Sequence, residues 1–164
     1  MAIMIGKELP QDAFELLKPE GQASKKGKVV QIVTVDTRGW PNAGMLSYYD
    51  IVARTPSNLR LATWGDGECA KDLRCNGKLA ILVIDKDMTY YVKATAKEIP
   101  EAGGGLSDVN NQGEESLVAI FDVQVEGVWE DKIPTARVLT GVVFQGSDTE
   151  DQAHQGIFRQ LMNA

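Results

Sequence analysis

Histidine occurs once in this chain, at position 154, and cysteine only twice, at 69 and 75. A triad that uses imidazole as its base, or a zinc site with clustered Cys and His ligands, has almost nothing to work with. Cys69 and Cys75 lie six apart on what reads as one short helix. They fall on different sides of it, so they neither pair with each other nor form half of a metal site. Basic residues are also short, 17 Lys and Arg against 23 Asp and Glu, which leaves a net charge of −6. That balance argues against general nucleic-acid binding, which needs cationic surface to displace counterions. No apolar run approaches the ~20 residues that span a bilayer. The opening MAIMIGKELPQD has no apolar stretch long enough for a signal peptide. A cytoplasmic protein is the expectation, with neither nucleic acid nor membrane as a partner.

What the chain does have is enough apolar material, 43% of 164 residues, for one ordinary core. A single domain over residues 1–164 is expected, with no internal repeat and no low-complexity tract. Residues 1–27 read as an N-terminal helix and lead-in. Within them Leu9–Lys18 places Phe14, Leu16 and Leu17 for a short amphipathic helix, with Pro10 tolerated in its first turn. Lys28–Asp36 is β-branched and apolar on both faces, the pattern of a central strand. A turn at 37–40 leads to a second strand from Pro41 through Val52. Another turn at 55–58 precedes a short third strand, Leu59–Thr63.

The loop Trp64-Gly65-Asp66-Gly67 then opens a helix, Glu68–Cys75, which Asn76-Gly77 terminates because both residues tolerate positive φ. Lys78–Ile84 is a further apolar strand. Met88–Glu98 has the cleanest period-2 pattern, with Met88, Tyr90, Val92, Ala94 and Ala96 on one face. Residues 100–114, rich in Gly, Asn and Ser, read as a mobile loop. Strands are expected near Leu117–Trp129 and Arg137–Phe144, and a C-terminal helix within 148–164 whose stripe is Ala153, Ile157, Phe158 and Leu161. Asp122 and Glu126 read as ordinary exposed charges. About seven strands, mostly joined by hairpin-length turns, argue for an antiparallel barrel rather than alternating βαβ units.

In order and spacing, VVQIVTVDTRGWPNAGML, LRLATWGDGECAKDLRCNGKLAILVI and TYYVKATAKEI resemble the pyridoxamine 5'-phosphate oxidase-like, FMN-binding split barrels. The likeness runs from Val29 to Glu98 and weakens towards Trp129. AFELLKPEG also resembles the opening helix of small bacterial FMN-binding proteins of this fold. The resemblance implies a mainly β, six- to seven-stranded antiparallel split barrel (Greek key) with a few short helices. It further implies FMN as cofactor, a homodimer with the flavin at its interface, and a small-molecule redox substrate.

Carried over by position, Gly44, Met45, Leu46 and Ser47 of the second strand run beside the flavin ring. Gly44 is either the place where a planar ring approaches closely or a bend in a barrel strand. Ala62 and Thr63 close the third strand, where the Thr63 hydroxyl meets the cofactor phosphate. The helix beginning at Glu68 aims its unpaired amides at that phosphate. Trp64 either covers the flavin or packs as a core or interface aromatic. Tyr91 and Trp129 match positions near the ring, the phosphate or the partner's contribution; an exposed strand Tyr and an interface Trp explain them equally well.

One departure stands out. Where the family commonly has an Arg-Lys pair in the helix's first turn, this chain has Glu68 and Cys69. Lys71 and Arg74 are the nearest cations able to substitute. Cys69, at a helix start, is either a thiol of lowered pKa or a plain small residue. The exposed-looking aromatics Trp40, Tyr48 and Tyr49 suit a dimer surface. Three functions stay open: an FMN-dependent oxidoreductase, a non-catalytic flavin or electron carrier, and a homologous dimer that has lost FMN for another ligand. His154 gives haem ligation only thin support.

Overall fold

The computed structural model describes the backbone of residues 1–100, 107–109, 115–132, 134–145 and 148–164. Along the chain come β1 (Ile3–Gly6), α1 (Gln11–Leu17), β2 (Val29–Val35), β3 (Pro41–Ser47), β4 (Ile51–Thr55) and β5 (Asn58–Trp64). Then follow α2 (Glu68–Asn76), β6 (Lys78–Asp85), β7 (Met88–Glu98), β8 (Ser107–Val109), β9 (Glu115–Glu130) and α3 (Asp148–Asn163). The pairings are antiparallel, in the order β3-β2-β6-β7-β9-β5-β4, with β1 and β8 added to β9.

Consecutive β3 and β4 stand at opposite ends of that order. Only Tyr48-Tyr49-Asp50 joins them, and an extended chain covers at most about 3.5 Å per residue. The two ends of the sheet are thus tethered within roughly 14 Å, and the sheet curls into a barrel left open along one seam. This is the expected split barrel.

The 16-residue β9 makes the curl possible. It pairs with β5 along Val118–Gln124 and with β7 along Phe121–Glu130. Against one step of β7, from Lys93 to Ala94, it takes two, from Gly127 to Val125. Glu126 is the extra residue of a bulge, and bulges bend strands and raise their twist.

The interior holds Val30, Ile32, Leu59, Leu61, Ile81, Val92, Phe121 and Val123, closed at one side by Ala13 and Leu17 of α1 and by Ala70 and Leu73 of α2. A second cluster lies under α3, where Ile157 and Leu161 cover Val52, Ala62, Val118 and Ile120. Strands β4, β5 and β9 are therefore buried on both faces where α3 lies, which is why Ile51, Val52 and Ala53 are all fully inside. Ala153, expected on the same stripe, lies outside the residues whose side chains are described.

Four expectations change. The strand expected from Pro41 to Val52 breaks at a turn, because the Asp50 carboxylate accepts from the Ser47 backbone N–H (2.9 Å) and hydroxyl (2.7 Å). A carboxylate satisfying nearby backbone competes with ladder formation. Tyr48 and Tyr49, expected at the surface, are turned in by that bend, at 2% and 8% exposure; Trp40 remains 67% exposed. Residues 137–144 form no strand beyond one bridge, Val143 to Lys28. They cross the adjacent ends of β2 and β6, with Phe144 donating to the Gly27 carbonyl and Val29 to the Val142 carbonyl. A Cβ at Gly141 would lie 2.0 Å from the Ile84 carbonyl oxygen, so glycine alone permits the crossing. Within the expected loop at 100–114, residues 107–109 pair with β9, and 101–106 and 110–114 lie outside the described residues. Helix α2 ends as expected, with Gly77 at φ 64° receiving the C-cap.

Helix α2 is pinned by a buried carboxylate. Asp72, 3% exposed, accepts from the Thr34 hydroxyl of β2 (2.6 Å) and from the Asn42 amide of β3 (2.8 Å). No helix among the described residues is long and apolar enough to cross a membrane. Replacing Asp72 by Ala strands both donors, and a loss of about 2–3 kcal/mol is expected. Urea denaturation measures it; a loss below about 0.5 kcal/mol would mean that water serves both donors equally well.

Candidate functional site

A cleft of about 480 Å³ occupies the seam of the barrel, within the range of small-molecule sites, roughly 300–1,000 Å³. Four parts of the chain supply most of its walls. Strand β3 contributes Gly44, Met45, Leu46 and Ser47, and the end of β5 contributes Ala62, Thr63 and Trp64. The start of α2 adds Gly67, Glu68 and Cys69, and α3 adds His154 and Ile157. Nine of the sequence-predicted residues thus converge on one cavity. Lys71, Arg74, Tyr91 and Trp129 do not line it.

The approach to α2 is built tightly. The Gly65 N–H donates to the Leu117 carbonyl at 2.6 Å and the Gly67 N–H to the Trp64 carbonyl at 3.1 Å. A Cβ at Gly65 would sit 2.7 Å from the Leu117 oxygen, and one at Gly67 3.2 Å from Trp64 atoms. Close approach requires glycine at 65, whereas at 67 a Cβ would be a tight fit. With Gly67 as N-cap, no side chain caps the helix, which leaves first-turn amides for an acceptor in the cleft.

The charges around that helix are paired. Lys71 donates to Glu68 at 2.8 Å, both side chains well exposed. Arg74 forms a two-pronged pair with Glu98 (2.6 Å each) and donates to the Gly65 carbonyl at 2.5 Å. The hydrogen bond from Arg74 holds the Glu98 carboxyl below its usual range. Arg74 braces the loop at Gly65 and pairs with Glu98, and Lys71 pairs with Glu68.

Cys69 packs against the core. Burial pushes its thiol up to about 11, against a hydrogen bond from Thr63 that lowers it, with Asp72 raising it further. Desolvation outweighs the Thr63 hydrogen bond, which speaks against a thiol of lowered pKa. Gly44 pairs with Ile32 across the β2–β3 ladder, and a Cβ there would meet the Ile32 side chain at an ordinary 3.5 Å. Its conformation does not demand glycine; the missing side chain leaves room in the cleft. Tyr91 donates weakly to Asp131 at 3.4 Å, and the Lys93 ammonium sits 4.5 Å over the Trp129 ring.

Asp50 and His154 are what sequence reasoning missed. Their closest contact, Nδ1 to Asp50 Oδ1, is 3.2 Å, with the Ser47 hydroxyl 3.4 Å from the same nitrogen. The Tyr49 ring stacks on the imidazole at 6.4 Å between centroids and 18° between planes. One signal was available: His154 lies three and four residues before Ile157 and Phe158, on their helix face.

No family model matches the chain. The uncharacterized protein YclD of Bacillus subtilis (strain 168) is 27% identical over 138 residues, 84% of each chain. Among solved structures, a proposed pyridoxamine 5'-phosphate oxidase of Lactobacillus delbrueckii superposes with a TM-score of 0.54 at 20% identity, covering 74% of this chain and 93% of its own. HupZ of Group A Streptococcus gives 0.53 at 19%, covering 84% and 99%. An FMN-binding protein of Syntrophomonas wolfei gives 0.50 at 12%, covering 75% and 88%. The fold is that of the pyridoxamine 5'-phosphate oxidase-like split barrels, as the order of elements implies.

With its thiol held protonated, Cys69 should resist iodoacetamide at pH 7.5 while exposed Cys75 reacts. Its own alkylation should appear only as the pH rises towards 11. Peptide mass spectrometry follows both sites, and equal rates at pH 7.5 would contradict the burial argument.

Proposed function

We propose that this protein binds a flavin nucleotide, FMN, in the seam cleft and acts in a homodimer as an oxidoreductase. One observation carries the reading: an uncapped helix N-terminus and a glycine-bearing edge strand line the same cavity. These are a phosphate-sized anion site and a flat wall for a ring. First-turn amides of α2 and the Thr63 hydroxyl hold the phosphate. The wall at Gly44–Ser47 belongs to a strand paired on one side only, so its outer backbone groups suit the hydrogen-bonding edge of a flavin ring. Glu68 costs less than its sequence position suggests, because Lys71 neutralises it and both lie in water.

Bound flavin supplies the redox chemistry itself, so the chain's part is to hold, orient and shield it. The shortage of histidine and cysteine is compatible with that division of labour. Dimer formation is supported by the apolar side chains exposed around the seam, Met45, Val143 and Phe144 among them. Trp129 and Tyr91, distant from their own cleft, are then contributors to the partner's. Cytoplasmic placement belongs to the same reading.

Titrating the protein into FMN should quench the flavin fluorescence. Gly44→Leu should weaken binding at least tenfold with little change in melting temperature, and Glu68→Lys should tighten it several-fold. Absence of quenching by the unaltered protein removes the flavin reading. If FMN binds, NADH or NADPH oxidation under air separates an enzyme from a carrier.

Sedimentation at micromolar concentration should give twice the mass of one 17.9 kDa chain. A single-chain mass would remove the shared site.

A further inference from the structure

Helix α3 supplies one wall of the seam cleft, yet it is held unlike the other walls. Strands β3 and β5 sit in hydrogen-bonded ladders, and α2 is pinned by Asp72. Among the described residues no backbone–backbone hydrogen bond joins α3 to a strand. Ile157 and Leu161 seat it on Val52, Ala62, Val118 and Ile120, a cluster separate from the barrel interior. Arg60 of β5 adds one bond, from Nη1 to the Leu161 carbonyl at 3.1 Å. The docked helix also leaves polar atoms unmet: Arg60 Nε and Gln160 Oε1 are buried without a hydrogen-bond partner. Such atoms disfavour docking, because water would serve them once the helix lifted. Val52 and Ile120, fully buried, oppose the lifting. Segments held by few buried apolar contacts open on their own, at free energies below that of the strands they cover.

One turn of the chain grips the helix where it meets the cleft. The Asp50 carboxylate accepts from His154 Nδ1 at 3.2 Å. The Tyr49 ring stacks on the imidazole and meets the Phe158 ring edge-on at 6.3 Å. Asp50 lines the cleft, and so do Ala62, Val118 and Ile157. Cleft wall and helix seat are thus partly the same residues. A ligand lying against Ala62, Val118 and Ile157 has all three contacts only while α3 is down, and it favours the docked helix by that difference.

We propose that α3 is a lid on the seam cleft that opens independently of the barrel. His154 is the positioning residue that latches it to Asp50, and an occupied cleft holds it shut. The latch stands on the geometry alone; closure over FMN rests on the flavin reading above.

Amide hydrogen exchange of the whole chain, followed by NMR, tests both parts. In FMN-free protein the amides of Ile157, Phe158 and Leu161 should exchange at least tenfold faster than the paired amides of β5 and β9. His154→Ala should speed them at least fivefold further and leave β5 and β9 unchanged, although alanine is the better helix former. His154→Gln, which keeps a donor for Asp50, should stay close to the unaltered protein. Saturating FMN should slow the same three amides at least tenfold. Helix amides that exchange at the rate of the strands, no response to His154→Ala, or His154→Gln as fast as His154→Ala would each overturn the proposal. FMN that binds and leaves the helix amides unchanged overturns the lid and keeps the flavin reading. Protein that shows the latch but never binds FMN loses the closure over flavin together with that reading, and keeps the independent opening.

Discussion

Everything distinctive about this barrel depends on one carboxylate. Asp50 takes both the backbone N–H and the hydroxyl of Ser47, and so ends β3 where the apolar pattern alone would have carried it onward. Three residues later the chain re-enters the sheet at its other end. The seam, and with it the cleft, is the space that this short crossing spans. The same carboxylate meets His154, and the Asp50 carbonyl accepts from Ala62 of β5 at 2.7 Å. The turn therefore ties β3, β5 and α3 around one cavity. Few residues could replace Asp50: a shorter hydroxyl reaches fewer donors, and an amide brings its own donors to a place that needs acceptors.

Charge around α2 is arranged for support more than for contact. Arg74 braces Gly65 and Glu98, Lys71 balances Glu68, and Asp72 pins the helix to β2 and β3. The cleft end of the helix presents backbone amides, the Cys69 thiol and the Lys71-paired Glu68. Anion recognition by amides does not depend on flexible cations, and it keeps its geometry when surface pairs are screened by salt.

Strand and helix positions were largely legible, for reasons that can be named. The alternation over Met88–Glu98 returns as β7 with the same bounds, since Tyr90, Val92 and Ala94 are buried and Lys93, Thr95 and Lys97 exposed. Asn76-Gly77 ends α2 because Gly77 takes positive φ. The cleft walls from β3, β5 and α2 could be carried over because those elements follow one another with short connections. Residues 137–144 misled because local sequence can favour an extended chain without saying whether a neighbouring strand lies within hydrogen-bonding reach. The Arg74–Glu98 pair was not legible, because helical spacing sets a side chain's direction but not the partner it finds.

Local chemistry settled the extended and helical segments, the turn glycines, the acidic balance and the shortage of imidazole and thiol chemistry. These follow from dihedral preference, side-chain periodicity and composition, each a property of a few neighbouring residues. Three-dimensional packing decided that Tyr48 and Tyr49 turn inward, that burial pushes the Cys69 thiol up, and that His154 meets Asp50 across 104 positions. Burial and long-range contact depend on which segments the closing sheet brings together, and a linear pattern does not encode that distance.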